Sequence, residues 1–341
     1  MFDDQIFHKL LILRTPGIGP IKYAELIRKF GSVIVAAESL RFDTTHVDSV
    51  RREMDAANNL GIRYVCDDSP DYPENLKTIR GAPPIITVRG NVSALRKRSV
   101  AIVGTRHATG AGLRFAHDLA HAFAKNNYAV ISGMAMGTDT AAHRGALMAT
   151  DNDAVTVAVL AGGVDYIWPL ENERLYFEIL ERGCIVSEMP VGMTPVTNNF
   201  IQRNRWVAGL SEKLILGEAD AKSGSIATAG NMLEYGRPVY AIPSHPSDPR
   251  STGPNRLIKE GSAILCLGED DFFDNGKKIS IQKTRKSSQE NDVLDKLGNI
   301  PMTESVLAEL VKKDIGEIKR DLVVLELDGI VKKTDGGYVK I

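Results

Sequence analysis

The chain has 341 residues, of which 43% are hydrophobic and 25% are charged, with 30 glycines and 15 prolines. This composition is typical of a globular protein of two or three domains and excludes a disordered or low-complexity chain. The formal net charge of −1 excludes a general basic coat, so any nucleic-acid site must be a local cluster of cations.

Membrane, secretory and disulfide-rich classes are also disfavoured. No apolar run approaches the roughly 20 residues that span a bilayer, and the N-terminus lacks the basic and apolar regions of a secretory signal. Cys66, Cys184 and Cys266 are too few and too scattered for a disulfide framework or a zinc site. We therefore expect a cytoplasmic protein with no membrane partner and no metal.

Residues 1–65 are predicted to form a small helical domain of the SAM or helix–hairpin–helix type. Apolar residues around Leu10 precede a glycine- and proline-rich turn at 15–20, and a second helical stretch covers 21–30. In a helix–hairpin–helix, glycine N–H groups at the start of the second helix hold a phosphate. A candidate secondary DNA contact therefore consists of Gly17, Gly19 and Lys22, with a purely structural turn as an equally good alternative.

The connector at 66–97 is rich in proline and is predicted to hold one or two edge strands. From 98 to 268, short apolar runs alternate with helical stretches, which is typical of buried parallel strands with helices on both faces. The predicted strands are 100–103, 128–132, 155–160, 184–187, 213–217, 238–242 and 263–267. The predicted helices are 110–126, 138–150, 171–182, 200–210, 226–236 and 254–260. The pattern predicts an α/β fold with a Rossmann-like, doubly wound parallel sheet.

The rest of the chain is predicted to hold a flexible linker at 269–289 and a winged helix at 290–341, made of three helices and a hairpin. The third of these helices is net acidic, so its insertion beside phosphates would be repulsive. We therefore interpret the winged helix as a protein-contact module. Leu322, Val323 and Leu325 are expected mostly in its own core.

Ligands of an open parallel sheet bind outside the carboxyl ends of the strands, so the residues that follow the predicted strands form the candidate site. Glycines there let the backbone approach a ligand, and helix N-termini bind anions. Four cations come to the same edge: Arg106, Arg203, Arg205 and Lys222. The candidate set also includes Gly104, Thr105, Gly133, Gly162, Gly163, Phe200, Asn204, Ser223, Gly224 and Ser225. These residues indicate a phosphate-lined pocket or groove, with ordinary strand-to-helix turns as the alternative.

Two nucleotide-binding patterns are missing from this edge. Gly104, Gly110 and Gly112 do not make G-x-G-x-x-G, and no G-x-x-x-x-G-K-[ST] occurs. We therefore expect no dinucleotide, no ATP-driven chemistry and no cofactor. Phe200 precedes Arg203 by three residues, and an aromatic ring beside cations is what single-stranded nucleic acid needs. A place in the helix core is equally consistent with Phe200.

Two further arrangements resemble catalytic sites, but a structural role accounts for each of them better. His117 and His121 have zincin-like spacing, yet no third ligand is evident and both face away from the predicted apolar stripe. Ser132, Asp139 and His143 could suggest a triad, but helix capping and a surface pair are simpler roles for Asp139 and His143. We predict neither a metal site nor a nucleophile.

Seven motifs in order along 99–267 resemble those of the DNA-processing protein A (DprA, or Smf) family. They are V-G-T-R at 103–106, S-G-M-A-M-G-T-D at 132–139, L-A-G-G at 160–163 followed by W-P at 168–169, S-E-M-P at 187–190, the run 200–211, S-G-S-I-A-T-A at 223–229 and A-I-P at 241–243. The predicted helical N-terminal domain and winged helix also resemble the architecture of the longer members.

The resemblance implies a function as well as a fold. Members bind single-stranded DNA through the Rossmann-like domain, associate as homodimers, protect incoming DNA and help to load RecA recombinase in natural transformation, without catalytic turnover. By motif, residues 104–106, the 200–205 cluster and residues 222–224 would line the DNA groove. The alternative is an enzyme of the nucleoside-monophosphate phosphoribohydrolase type, whose P-G-G-x-G-T-x-x-E loop the run from Lys222 to Glu234 matches only vaguely.

Overall fold

The computed structural model describes residues 4–273, 292–298, 300–334 and 336–340. The chain divides into two compact units, one that ends at Phe273 and one that follows it. We call them unit 1 and unit 2. No helix in the described ranges is both long and apolar enough to cross a membrane.

Unit 1 begins with four helices that surround two small apolar clusters. They are α1 (Asp4–Leu13), α2 (Pro20–Phe30), α3 (Val33–Glu38) and α4 (Thr44–Asn59). Leu10 of α1 packs with Val50 and Met54 of α4, whereas Ile12 of α1 packs with Tyr23 of α2. Opposite faces of α1 thus contact different helices, which fixes the turn between α1 and α2 beside the sheet.

A nine-stranded sheet forms the centre of unit 1. Its strands are β1 (Arg63–Cys66), β2 (Ile85–Gly90), β3 (Ser99–Val103), β4 (Ala129–Ser132), β5 (Thr156–Val159), β6 (Gly183–Ser187), β7 (Lys213–Leu216), β8 (Val239–Ala241) and β9 (Ile264–Leu265). The spatial order is β1-β2-β6-β5-β4-β3-β7-β8-β9, with antiparallel pairing only at β1–β2 and β2–β6. The α/β prediction with a large parallel sheet is confirmed, and the seven predicted strands are all present. Two antiparallel strands extend one edge: β2 lies in the predicted connector, whereas β1 begins at Arg63, within the region predicted as helical.

The strands are apolar because both faces of the sheet are covered. Every residue of β3, β4, β5 and β6 is buried, as expected for parallel strands between two helical layers. The helices that follow β1 are α5 (Glu74–Lys77), α6 (Gly110–Lys125), α7 (Thr138–Leu147), α8 (Glu173–Arg182), α9 (Thr197–Leu210), α10 (Gly224–Glu234) and α11 (Thr252–Lys259). Phe123 of α6 is buried in the hydrophobic core on one face of the sheet, and Trp206 of α9 is buried in the core on the other face.

Unit 1 extends into the segment predicted as a linker. Phe272 and Phe273 pack on Phe123, with ring centres 4.9 Å away in each case. These rings therefore belong to the core of unit 1. The remainder of the predicted linker, 274–289, lies outside the described residues.

Unit 2 contains α12 (Asp292–Lys296), α13 (Glu304–Val311), α14 (Ile315–Leu327) and an antiparallel pair of strands, β10 (Val331–Thr334) and β11 (Gly337–Lys340). Leu322 and Leu325 are buried in its core, as predicted. Val323 is 51% exposed, so its predicted place in that core is wrong. On α14 it lies between the two buried positions and points away from them, since i and i+3 share a helix face and i+1 does not.

Candidate nucleic-acid interface

The strand order reverses between β3 and β7, and this reversal opens a crevice at the carboxyl edge of the sheet. β4, β5 and β6 lie on one side of β3, whereas β7, β8 and β9 continue on the other. Ligands of doubly wound sheets bind at such a point, because the loops on its two sides diverge. A cavity of about 360 Å³ occupies the crevice, and we call it the switch-point cavity. The predicted residues on its wall are Gly104, Thr105, Arg106, Gly133, Phe200, Arg203, Asn204, Ser223, Gly224 and Ser225.

An exposed cation and an aromatic ring line this cavity, and a second ring packs against both of them. The guanidinium carbon of Arg106 lies 5.4 Å from the ring centre of Trp168. Trp168 packs on Phe200 with ring centres 4.6 Å apart and planes inclined by 60°. Phe200 is therefore a half-buried wall residue that Trp168 supports from behind. Trp168 was missed as a site residue, although it stands in one of the segments that carry the family resemblance.

Arg203, in contrast, is a buried residue with a structural role. Its side chain is 7% exposed, and its Nη1 donates to the carbonyl oxygens of Gly133 and, at 2.6 Å, of Val159. It therefore ties α9 to the ends of β4 and β5. A Cβ on Gly133 would collide with the guanidinium, so this position requires glycine.

The charge of Arg203 is balanced within the protein. Asp139 at the start of α7 is also buried, and its Oδ2 accepts from the backbone N–H of Gly133 and of Ala135. Burial raises the pKa of Asp139 and lowers that of Arg203, while the attraction between the two charges opposes both shifts. The pair holds the 133–139 loop in place.

The N-terminus of α10 forms the opposite wall of the switch-point cavity. The Ser223 side chain caps the helix by accepting from the N–H of Ile226, and Ser225 Oγ donates to the carbonyl of Gly104 at 2.7 Å. Asn204 Nδ2 reaches the carbonyl of Gly224 at 3.2 Å. A helix N-terminus attracts anions through its free N–H groups. Lys222 is exposed just before this helix and does not line the cavity itself.

Besides Lys222, three more of the predicted groove residues do not line the switch-point cavity: Gly162, Gly163 and Arg205. A Cβ on Gly162 would stand 2.7 Å from the carbonyl of Met193, and one on Gly163 would stand 2.7 Å from that of Pro190. These two glycines therefore let the 188–196 segment pack on the end of β5. Arg205 points away from the switch-point cavity and donates to the carbonyl of Gly81 at 2.7 Å.

A second cavity of about 450 Å³ lies on the other side of α9. We call it the proline pocket, because Pro16, Pro20, Pro83, Pro84 and Pro190 line it together with Gln202, Arg205 and Glu188. The predicted secondary contact residues Gly17 and Gly19 are on its wall, whereas Lys22 is exposed on α2 outside it. The turn between α1 and α2 thus faces the sheet edge.

Glu218, which follows β7, is a site residue that no sequence motif indicated. Its carboxylate accepts from the backbone N–H and the hydroxyl of Thr109, at 2.7 and 2.5 Å, where α6 begins. In dinucleotide-binding sheets a pyrophosphate occupies the corresponding helix N-terminus. The carboxylate of Glu218 takes that place here.

The residues that resemble a catalytic triad have structural roles. Asp139 and His143 are both buried, so the predicted surface pair is wrong. Ser132 Oγ donates to the carbonyl of Ile102, and His143 Nδ1 bonds to the hydroxyl of Thr156 at 2.7 Å, so the three groups form no relay. Burial lowers the pKa of His143 to about 3.

The histidine pair on α6 does not form part of a metal-binding cluster. No group of three metal-ligating side chains occurs among the residues that the structure describes. His117 Nδ1 lies 2.9 Å from Asp118, and the Nδ1 of His121 is buried without a hydrogen-bond partner in the described ranges. The expectation that both histidines face away from the core is therefore wrong for His121.

Comparison with known proteins places this chain among proteins of DNA processing. The model of the family described as DNA recombination-mediator protein A matches residues 63–277. Protein Smf from Escherichia coli is 33% identical over 288 residues, which cover 80% of this chain and 76% of that protein. DNA processing protein DprA from Bacillus subtilis is 34% identical over 234 residues, which cover 68% of this chain and 77% of the relative.

Solved structures with the same fold include two proteins of this kind. DNA processing protein A from Streptococcus pneumoniae matches with a TM-score of 0.64 and 28% identity, over 78% of this chain and 96% of the other. DNA processing protein A from Helicobacter pylori, a protein with a described single-stranded DNA binding mode, matches with a TM-score of 0.56 and 29% identity. The second match covers 62% of this chain and 94% of the other.

Proposed function

The chain belongs to the DNA recombination-mediator protein A family, and we propose that it binds single-stranded DNA in the switch-point cavity. The observation that carries this proposal is the grouping of Arg106, Trp168 and Phe200 beside the N-terminus of α10. A single strand presents unpaired bases that stack on aromatic rings and phosphates that bind cations and helix N-termini. A duplex hides its base faces, so it would use only the second of these contacts.

The biological role follows from the family. We propose that the protein protects incoming DNA and helps to load RecA recombinase in natural transformation, as a homodimer joined through the sheet of unit 1. β9 is the edge strand of the sheet among the residues that the structure describes, and its Ile264 and Leu265 are 53% and 43% exposed, which supports the homodimer because an edge strand readily pairs. Unit 2 would contact a protein, since its α14 exposes Val323, Val324 and Leu327. The cytoplasmic location stays a prediction.

The proposal includes no catalytic turnover. The phosphoribohydrolase alternative needs a carboxylate held beside the sugar. Glu234, which would supply it by motif, is exposed at the last residue of α10 and does not line the switch-point cavity. The carboxylate that does line this cavity, Asp139, already accepts two backbone N–H groups.

Binding of a fluorescent dT20 oligomer, followed by anisotropy between 50 and 200 mM salt, tests the proposal against a duplex of the same length. We expect the single strand to bind more tightly, with an affinity that falls as salt rises. Arg106→Ala should weaken binding and flatten the salt slope by about 0.7, the value for one phosphate contact on a single strand. Arg174→Ala, which removes a cation that is 93% exposed on α8, is the matched control. Equal affinities of the Arg106 variant and the wild type at every salt concentration would refute the assignment.

A further inference from the structure

Three charged side chains line the proline pocket: Arg14, which pairs with Glu53 at 2.7 Å, and Glu188 and Arg205, which the proposed DNA groove does not use. Glu188 is half-buried there and forms no ion pair with any described residue. Burial raises the pKa of its carboxyl group, and the nearby Trp206, Arg205 and Arg14 oppose that rise. The protein thus keeps a carboxylate in a partly desolvated site, where an unmatched charge is costly.

Arg205 supplies a positive charge and N–H donors in the same pocket. Its Nη2 donates to the carbonyl of Gly81, whereas its Nε is buried with no hydrogen-bond partner among the described residues. The guanidinium also lies over the ring of Trp206, 4.0 Å from the ring centre, which fixes its plane. A well-oriented donor and an acceptor therefore share one cavity without bonding to each other.

These groups determine which chemical features a ligand of the proline pocket must have. It must donate to Glu188, accept from Arg205 and tolerate the apolar walls made by five prolines. Glu188 opposes a phosphate bound at Arg205, and an apolar group would leave the Nε of Arg205 without an acceptor. A flat heterocycle with donors and acceptors on its edge satisfies all three conditions, and 450 Å³ is within the usual range of about 300–1,000 Å³ for ligand pockets.

The pocket is within reach of a strand in the switch-point cavity. Ile201 and Arg203 line the switch-point cavity, whereas Gln202 and Arg205 line the proline pocket. Consecutive residues of α9 thus face the two cavities, and a helix with its side chains is about 10–12 Å wide. A few nucleotides of an extended strand cross such a distance, over the exposed side chain of Ile201.

We propose that the proline pocket binds a guanine base of the single strand held in the switch-point cavity, through Glu188 and Arg205. Guanine is the base whose pairing edge carries two adjacent donors, N1–H and N2–H, which a carboxylate accepts together, beside the acceptor O6 for a guanidinium. Thymine offers one donor between two carbonyl oxygens, which a carboxylate repels. This inference rests on the proposed function, and it adds a base preference to a groove whose other contacts, base stacking and phosphate binding, do not distinguish one base from another.

The test compares three 20-nucleotide oligomers by anisotropy with the full-length protein: dT20, the same oligomer with one central guanine, and the same with inosine in place of guanine. One good base contact is worth a factor of about 5 or more. We expect the guanine oligomer to bind about fivefold more tightly than dT20. The inosine oligomer, which lacks the N2 amine, should lose most of that gain in affinity. Glu188→Gln should abolish the gain and leave dT20 affinity unchanged, with Glu234→Gln as the matched control.

The outcomes separate this inference from the proposed function. The guanine site is refuted if dT20 binds tightly and guanine brings no gain in affinity. It is also refuted if the gain persists both with inosine and in the Glu188→Gln variant. Either result leaves the proposed strand groove intact. Failure to bind any oligomer overturns both. Millimolar dGMP should compete away the guanine gain alone. If dGMP binds while guanine in a strand brings no gain, the pocket serves a free nucleotide and the inference is wrong.

Discussion

Replacing Arg203 with methionine is expected to destabilise unit 1, because this residue is part of its interior. Methionine keeps most of the side-chain volume and removes the charge and the donors. The carbonyl oxygens of Gly133 and Val159 then lose a donor, and Asp139 loses the cation that compensates its charge.

The size of the effect follows from these contacts. A buried polar group that loses its partner costs about 1–3 kcal/mol, and removal of one member of a buried charge pair costs about 3–5 kcal/mol. Because the two costs overlap at one side chain, we expect a loss of about 3–5 kcal/mol in the free energy of unfolding of unit 1. With a urea dependence of about 2–3 kcal/mol per molar, the midpoint should fall by about 1–2 M.

Tryptophan fluorescence during urea unfolding measures this loss. Trp168 and Trp206 both lie in unit 1, so the signal follows that unit. The loss in free energy of unfolding caused by Arg203→Met should also depend on pH. Without Arg203 the raised pKa of Asp139 rises further, so the folded variant takes up a proton at a pH where the unfolded chain has not. Stability lost at pH 7 should therefore return in part as the pH falls toward that pKa.

Lys222→Ala is the control, because an exposed side chain changes stability by no more than about 0.5 kcal/mol. If Arg203→Met unfolds at the wild-type midpoint and loses only DNA affinity, then Arg203 is a phosphate contact and the structural role given to it is wrong.

Three further predictions concern the glycine loop, the buried histidine and unit 2. Gly133→Ala should destabilise unit 1 by about 1–3 kcal/mol through its clash with Arg203, whereas Gly230→Ala, with nothing near its added methyl, should be neutral or stabilising in the same urea titration. The imidazole of His143 should stay neutral from pH 8 to pH 4 in an NMR titration, because burial lowers its pKa to about 3, and an inflection near 6.5 would contradict this burial. A chain that ends at Phe273 should bind dT20 within about twofold of the full-length protein, and a large loss of affinity would show that unit 2 contacts DNA.

The sheet could be predicted because buried parallel strands are short continuous apolar runs. Strands such as β3 and β5 stand out clearly between helical stretches, and their carboxyl ends mark one edge. A doubly wound sheet contains one reversal of strand order, but its position between β3 and β7 could not be predicted, because the seven runs carry no information about which strands are neighbours. That reversal decides which of the glycine loops face one another.

The burial and contacts of individual side chains were harder to predict than the sheet edge at which they lie. Arg203 and Arg205 are two residues apart on one helix, and nothing in the sequence indicates that one is buried in the sheet and the other faces the proline pocket. Gly162 and Gly163 look like glycines that approach a ligand, but they accommodate the chain's own backbone. A glycine permits close approach and does not say what approaches, so only the tertiary contacts separate the two cases.

The carboxylate of Glu218 at the start of α6 has a consequence for the order of the switch-point cavity in the ligand-free protein. An enzyme that relies on a diffusible nucleotide to order this corner loses that order whenever the nucleotide leaves. Here the anion that orders the start of α6 is the Glu218 side chain itself. It is always present, and no translational entropy is lost when it binds. The wall that carries Arg106 is thereby preorganised in the free protein, and its rigidity does not depend on the nucleotide supply of the cell.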